Sequence, residues 1–279
     1  MKILIIGGNG YVGSNLKSIL SKNHEITTLG RKNCDIIADI TNFKKLKESI
    51  KDFDVVFHLA ALISTRDCFE KPREFMLTNV VGTLNVLEAC RLNEIKNIIF
   101  SSTAKVYGKM EGTSIKESQK KKPLSPYGYS KLLAEEICEN YKNIYKMNIK
   151  ILRIFNVYGP HQPNTLLIPV MINQIENEKI KLSGDNSTRD FIYIDDVCEA
   201  LEKTINTNLT EPINIGTGKS SSPKDIAKNI EKITGKQLTL EMKEGMTSQE
   251  VADVTLAKEI LNWEANISLE QGLKKILNP

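Results

Sequence analysis

The first thirteen residues constrain the fold more than any other stretch. Ile3 to Ile6 form an uncharged apolar run, the pattern of a strand buried on both faces. The run stops at Gly7. Gly7, Gly10 and Gly13 then open a segment in which Val12, Leu16, Ile19 and Leu20 recur at helical spacing. A strand, a glycine turn and a helix bring backbone N–H groups and a helix N-terminus to face an anion. Gly7 suits the tight turn, Gly10 the close approach of a pyrophosphate, and Gly13 the close packing of helix on sheet. Such glycines also occur in plain structural turns. The strand before them and the helix after them point instead to a dinucleotide site.

A chain of 279 residues, 41% hydrophobic, can bury a full core and make one large α/β domain or a domain with a small lobe. The net charge of +4 is small, and no RNA- or DNA-binding module is visible, so no nucleic-acid partner is expected. Lys120-Lys121-Lys122 reads as a solvated loop. Cysteines 34, 68, 90, 138 and 198 are odd in number and lack CxxC spacing. With no signal-peptide pattern, they read as reduced thiols of a cytoplasmic protein. No apolar run approaches 18 residues, so no membrane span is expected. His24, His58 and His161 lie far apart, which argues against a His-built metal site.

Beyond the glycine turn, strands are expected at Glu25–Leu29, Ile36–Ile40, Val55–Leu59, Asn97–Ser101 and Lys150–Phe155. Between them the apolar spacing predicts helices, the longest over Pro72–Asn93 and from Pro126, which suits a first helical position, to about Met147. This alternation is the signature of a Rossmann-type, doubly wound parallel sheet in an α/β protein. A smaller C-terminal α/β substrate lobe follows, with helices near Val170–Glu178, Pro223–Thr234, Leu256–Leu261 and Leu269–Leu277 and a strand near Gln237–Met242. Arg189–Asp196 reads as a short strand and helix cap, its helix running to about Thr207, and Ile213–Ile215 as a strand. The expected dinucleotide-binding domain is 1–160, with 185–216 returning to it; 161–184 and 217–279 form the substrate lobe.

Ligands of such sheets bind beyond the carboxyl ends of the strands. At the end of the second strand, an acidic residue would accept from the adenosine ribose and favour NAD. Gly30 stands there, followed by Arg31 and Lys32. Arg31 is suited to pair with a 2′-phosphate, which leans toward NADP; a solvated loop is the plainer alternative. Asp39 either accepts from the adenine amino group or caps the helix that begins near Asn42. The small residues of Leu59-Ala60-Ala61 let a cofactor cross the strand end. Tyr127 and Lys131 are four apart, on one helix face. A free phenol titrates near 10, too high for a base; a cation one turn away and a bound nicotinamide would favour the phenolate. A hydroxyl from Thr103 could hold the reacting oxygen. The implied chemistry is proton removal from an alcohol coupled to hydride transfer, or its reverse.

These residues are joined by His58-Leu-Ala-Ala61, Asn79-Val-Val-Gly-Thr83, Ser101-Ser-Thr-Ala-Lys-Val-Tyr-Gly108, Tyr127-Gly-Tyr-Ser-Lys131, Arg153-Ile-Phe-Asn-Val-Tyr-Gly-Pro160, Arg189-Asp-Phe-Ile-Tyr193 and Asn214-Ile-Gly216. Together they resemble the extended short-chain dehydrogenase/reductase family, in its nucleotide-sugar epimerase/dehydratase branch, over almost the whole chain. The resemblance implies catalytic roles for Thr103, Tyr127 and Lys131. It implies cofactor contacts from Gly7, Gly10, Tyr11, Val12, Gly13, Arg31, Asp39, Ile40, Leu59, Ala60, Ala61, Asn79, Ser101, Tyr127, Lys131 and Phe155. Substrate contacts are implied for Thr103, Asn156, Asn164, Leu166, Arg189 and Lys243, the guanidinium fork of Arg189 suiting a diphosphate. The implied partner is a nucleotide-diphosphate sugar, and the implied assembly a homodimer through the helices at 72–93 and 127–147. Two departures stand out: Gly30 in place of the acid, and Lys243-Glu-Gly-Met246 in place of the family's Arg-Pro-Gly-Asp. Ala104-Lys105 stands where sugar 4,6-dehydratases carry Asp-Glu, which argues against dehydration. A 4-epimerase of the UDP-glucose type is expected, with an NADPH-dependent 4-keto-6-deoxysugar reductase as the alternative. A dinucleotide sensor without turnover is a remote third, since it would not need both Tyr127 and Lys131.

Overall fold

A computed structural model describes residues 1–182, 186–242 and 248–278. The chain packs as two units, the first comprising 1–108, 120–154 and 198–213, the second 109–119, 155–197 and 214–279.

The first unit is built on β1 (Lys2–Ile6), β2 (Glu25–Gly30), β3 (Ile36–Ile37), β4 (Val55–His58), β5 (Asn97–Thr103) and β6 (Asn148–Ile154). The sheet order is β3-β2-β1-β4-β5-β6, with Ile213–Ile215 as the seventh strand, and the pairs from β3 to β6 run parallel. Strand order reverses between β1 and β4, the switch point where such sheets take their ligands. Ile3 to Ile6 are wholly buried, as an uncharged apolar run requires. On one face Leu4, Ile6, Val56, Ile98 and Phe100 pack against Val86, Leu87, Ala134 and Cys138 of the covering helices. Each such side chain is worth about 1.5–3 kcal/mol when fully buried. β3 is shorter than expected because Asp39 turns the chain: its Oδ1 accepts from the Thr41 N–H and hydroxyl, both at 2.8 Å.

The helix expected over Pro72–Asn93 is not continuous. Helical turns at Asp67–Glu70 and Pro72–Phe75 lead into a π-helical stretch, Met76–Val81, before α-helix resumes at Gly82–Leu92. The cause is Asn79, which is buried. Its Nδ2 donates to the Leu62 carbonyl and to Ser130 Oγ, both at 2.9 Å, and its Oδ1 accepts from Leu62 N–H at 2.8 Å. The wider turn aims one amide at two other segments. Thr83 Oγ1 donates to the Asn79 carbonyl at 2.7 Å and lies 2.9 Å from His58 Nε2. With the hydroxyl proton so committed, His58 donates through Nε2, and Nδ1 is a buried acceptor without a partner among the described residues.

The second unit centres on the strand Thr188–Tyr193. It pairs parallel with Asn156–Tyr158 and Gln249–Glu250 and antiparallel with Ser220–Ser221. Asp190 ties it down: its buried carboxylate accepts from Thr217 N–H and Oγ1, Gly218 N–H and Ala252 N–H at 2.7–3.1 Å. Asn214 Nδ2 donates to the Ile115 carbonyl at 2.8 Å, and its N–H to Glu117 Oε1 at 2.9 Å. These bonds hold 109–119 in this unit. The division therefore differs from that read off the sequence: 155–160 and 185–197 follow the small sheet, and only 198–213 return to the first unit. The helix expected over Val170–Glu178 runs from Leu167 to Ile172 and is followed by a 3₁₀ turn at Ile175–Asn177. Pro169 falls in its first turn, where no N–H is needed.

Burial, reinforced by the charge of Lys131, pushes the His58 imidazole down to about 3. The unfolded chain takes up this proton near pH 6.5 and the folded chain does not, so stability held above that pH is lost as pH falls through this window. Between pH 7 and pH 5 the native protein should lose about 2 kcal/mol that a His58→Asn variant keeps. Urea unfolding at both pH values checks this; parallel losses in the two proteins would contradict it.

Candidate active site

The glycine turn sits at the switch point. Gly7 has φ +91°, a left-handed conformation in which a side chain is strained. A Cβ there would also lie 2.7 Å from Ala60 N. A Cβ on Gly13 would run into the Gly7 carbonyl. Gly10 N–H donates back to the Gly7 carbonyl at 2.9 Å. Gly10 then caps the helix Tyr11–Leu20 without a side chain of its own to bond the first turn. Leu59, Ala60 and Ala61 leave β4 immediately beside this turn, with Leu59 N–H donating to Ile6 at 2.9 Å. The turn, the helix start capped by glycine and the small residues beside them fit a dinucleotide pyrophosphate. Tyr11 and Val12 open the helix, half-buried.

At the end of β2, Arg31 and Lys32 are exposed. Cys34 Sγ lies 2.9 Å from where a Gly30 Cβ would be, so the thiol fills the space of a residue-30 side chain. Asp35 Oδ2 accepts from Thr28 N–H at 2.8 Å and from its hydroxyl at 2.7 Å, which folds the intervening loop back on the strand. The capping alternative for Asp39 is resolved in part. Asn42 caps the helix Phe43–Ser49 by accepting from Lys45 N–H, while Asp39 Oδ1 holds the Thr41 turn. Ile40 is buried and packs against Gly82.

Tyr127, Lys131 and Thr103 come together in the first unit. Ser125 caps the helix Pro126–Tyr145, accepting from Gly128 N–H at 3.1 Å, and this starts the helix one residue before Tyr127. Tyr127 packs with Cys68, Phe75 and Leu62, and the Thr103 hydroxyl stands near enough to its phenol to favour the phenolate. Burial pushes the phenol up to about 12, with that hydroxyl acting the other way. The expectation that the cation would draw the phenol down is thus outweighed here by desolvation. The Lys131 ammonium stands 4.0 Å from the Phe100 ring centroid. Burial lowers it to about 8, with Cys138 and Glu135 opposing. Ser101 Oγ donates to the His58 carbonyl at 3.3 Å. Asn79 spends both amide protons on protein atoms, so its side chain braces the Tyr127 helix at Ser130.

The remaining candidates lie in the second unit. Phe155 is buried, its N–H donating to Ile215 at 3.0 Å. Asn156 Nδ2 donates to Glu250 Oε1 at 2.7 Å and to the Asp190 carbonyl at 3.1 Å. Arg189 is half-buried on the central strand, opposite Glu250 and Ser221 in register. Asn164 and Leu166 are exposed just before the helix Leu167–Ile172. Lys243 lies outside the described residues. Sequence reasoning missed Glu135, Arg153 and Ser102, which form a buried network beneath Lys131. The spacing of Tyr127, Lys131 and Glu135 was the available signal.

Residues 3–216 match the NAD dependent epimerase/dehydratase family. A UDP-glucuronate 4-epimerase of Thermodesulfobacterium geofontis is 35% identical over 86% of this chain and 77% of its own. Among solved structures, a UDP-glucuronic acid 4-epimerase from Bacillus cereus in complex with UDP-glucuronic acid and NAD superposes with a TM-score of 0.91 at 32% identity, covering 99% of this chain and 97% of the other. A UDP-glucose 4-epimerase from Thermotoga maritima with UDP-glucose gives 0.92 at 29% identity, over 99% and 97%. The chain thus belongs to the NAD dependent epimerase/dehydratase family, whose match takes in both the glycine turn and the Tyr127–Lys131 helix.

Proposed function

We propose that this chain is a nucleotide-sugar 4-epimerase that inverts the C4 hydroxyl of a UDP-hexose or UDP-hexuronate. The observation that carries this is the buried Tyr127 with Thr103 on its phenol and Lys131 one helical turn away, at the carboxyl end of a sheet whose glycine turn fits a dinucleotide. When bound, the dinucleotide supplies the acceptor and then the donor of the C4 hydride. Tyr127 takes the proton of the C4 hydroxyl and returns it to the C4 oxygen when the carbon is reduced on its other face. Lys131, cationic below about pH 8, favours the phenolate against the burial that opposes it. Thr103 orients the sugar oxygen. Arg189, and Lys243 with a point charge, are assigned to the substrate diphosphate, and Asn156, both of whose amide protons go to Asp190 and Glu250, to shaping the site around it. Asn164 and Leu166 are assigned to the nucleotide. Ala104-Lys105 supplies no acid for elimination. The 4-epimerase names of the relatives favour inversion over reduction of a 4-keto sugar.

The solved relatives carry NAD. Exposed Arg31 and Lys32, with no carboxylate at position 30, support acceptance of NADP as well. A homodimer is supported by an exposed apolar stripe on the helix before β5, namely Leu77, Val81, Leu84 and Leu92, with Tyr129 and Ile144 on the Tyr127 helix; a sedimenting monomer would remove it. The five cysteines are free, which suits a reducing cytoplasm. No helix among the described residues is long and apolar enough to cross a membrane.

Tyr127→Phe should lower the rate of UDP-glucose or UDP-glucuronate inversion by about a hundredfold or more, with dinucleotide affinity unchanged by calorimetry; normal turnover would remove Tyr127 as the base. Arg31→Ala should weaken NADPH about tenfold more than NAD, on the scale of one charge-assisted hydrogen bond. Equal losses would mean that Arg31 does not read the 2′-phosphate.

A further inference from the structure

Tyr127, Lys131 and Glu135 stand at i, i+4 and i+8 of one helix, so they form a single stripe along the face turned to the sheet. They are 8%, 2% and 1% exposed. β5 meets the stripe through consecutive hydroxyls: Ser102 Oγ donates to Glu135 Oε1 at 2.5 Å, and Thr103 stands by the Tyr127 phenol. β6 holds it too: Arg153 Nε donates to Glu135 Oε1 at 3.0 Å and Nη2 to Oε2 at 2.8 Å. The remaining side of the guanidinium is fixed by Tyr107, whose hydroxyl accepts from Nη1 at 2.8 Å.

We propose that Glu135, gripped by Arg153, Ser102 and Tyr107, is a positioning residue that sets the register of Tyr127 and Lys131 against Thr103. A planar two-bond fork has one productive geometry, and it joins this helix to two strands of the sheet. Stability alone does not account for it, because apolar residues of like volume commonly replace a buried ion pair at no loss. Thr103 is adjacent to Ser102 in the strand, and Lys131 is one turn from Glu135. A shift of the fork by a fraction of an ångström therefore reaches the phenol.

The charged and titratable neighbours are few. Glu135 faces Arg153 from β6, Lys121 at 3.9 Å from the segment before the helix, and Lys131 on its own helix. Lys131 faces Cys138 and His58, and Tyr127 faces Cys68. Removing the negative charge of Glu135 would, by charge alone, make the phenolate easier to form. Loss of positioning would make it harder, since Tyr127 would part from the Thr103 donor and the Lys131 cation. The two effects have opposite sign.

The test is an ultraviolet difference titration of phenolate formation in the NAD-saturated protein, with Tyr127→Phe as the blank, for the native chain, Glu135→Gln and Glu135→Asp. The expected result is an upward shift of the Tyr127 midpoint by one pH unit or more in both variants. It is accompanied by at least a tenfold loss of kcat, with KM and NAD affinity kept. A downward shift in Glu135→Gln with no shift in Glu135→Asp would mean that only the charge matters. Unchanged midpoints with lowered melting temperatures would mean that the network is merely structural; either result overturns the proposal. If Glu135→Gln does not fold, Glu135→Asp, which keeps the charge and shortens the reach, decides alone. The proposal rests on Tyr127 as the base. The titration needs no sugar, so an upward shift in a chain that inverts no nucleotide sugar would leave the positioning role standing and remove the epimerase assignment.

Discussion

Everything at the switch point depends on how closely backbone approaches backbone around Gly7. A Cβ at Gly7 would meet Ala60 N at 2.7 Å, and one at Gly13 would meet the Gly7 carbonyl. With no side chains there, the start of the first helix, the end of β1 and the residues leaving β4 lie within van der Waals contact. The anion-binding N–H groups are thereby set beside the strand ends that carry the chemistry. Any other residue at these two positions would force the strand ends and the helix apart.

Two buried polar devices extend that geometry to Tyr127. On one side Asn79, carried by the π-helical stretch, links Leu62 after β4 to Ser130 of the Tyr127 helix. On the other, the Glu135–Arg153 fork links the same helix to β5 and β6. Both are satisfied by geometry-specific bonds in a dry interior, where a misplaced partner costs about 1–3 kcal/mol. The phenol between them is pushed up to about 12 by its surroundings. A base in such a place works only when its cation and its donor are held in register, which is what the two devices do.

Much of this was legible in the chain. The uncharged run Ile3–Ile6 gave a doubly buried strand, and the spacing of Tyr127 and Lys131 gave one face of a helix. What was not legible came from bonds between distant segments. Nothing in the spacing of Pro72–Asn93 announces a π turn, because the cause lies in Leu62 and Ser130. The stretch Arg189–Asp196 reads as a short strand and helix cap of the dinucleotide-binding domain until Asp190 is seen gathering Thr217, Gly218 and Ala252. Cys34 filling the space beside Gly30 depends on Asp35 folding its loop onto Thr28, which no local propensity encodes. Lys131 and a bound nicotinamide were expected to favour the phenolate; against them burial pushes the phenol up to about 12, and burial is a property of the whole core.

The most direct measurement uses UDP-glucose and UDP-glucuronate carrying deuterium at C4, incubated with the purified protein and NAD in ordinary water and followed by NMR. Inversion at C4 with the deuterium retained in the product is the expected result, because the hydride that leaves the sugar returns to the same carbon. Loss of deuterium to solvent, or release of an oxidised or reduced sugar in place of the C4 epimer, would contradict the assignment.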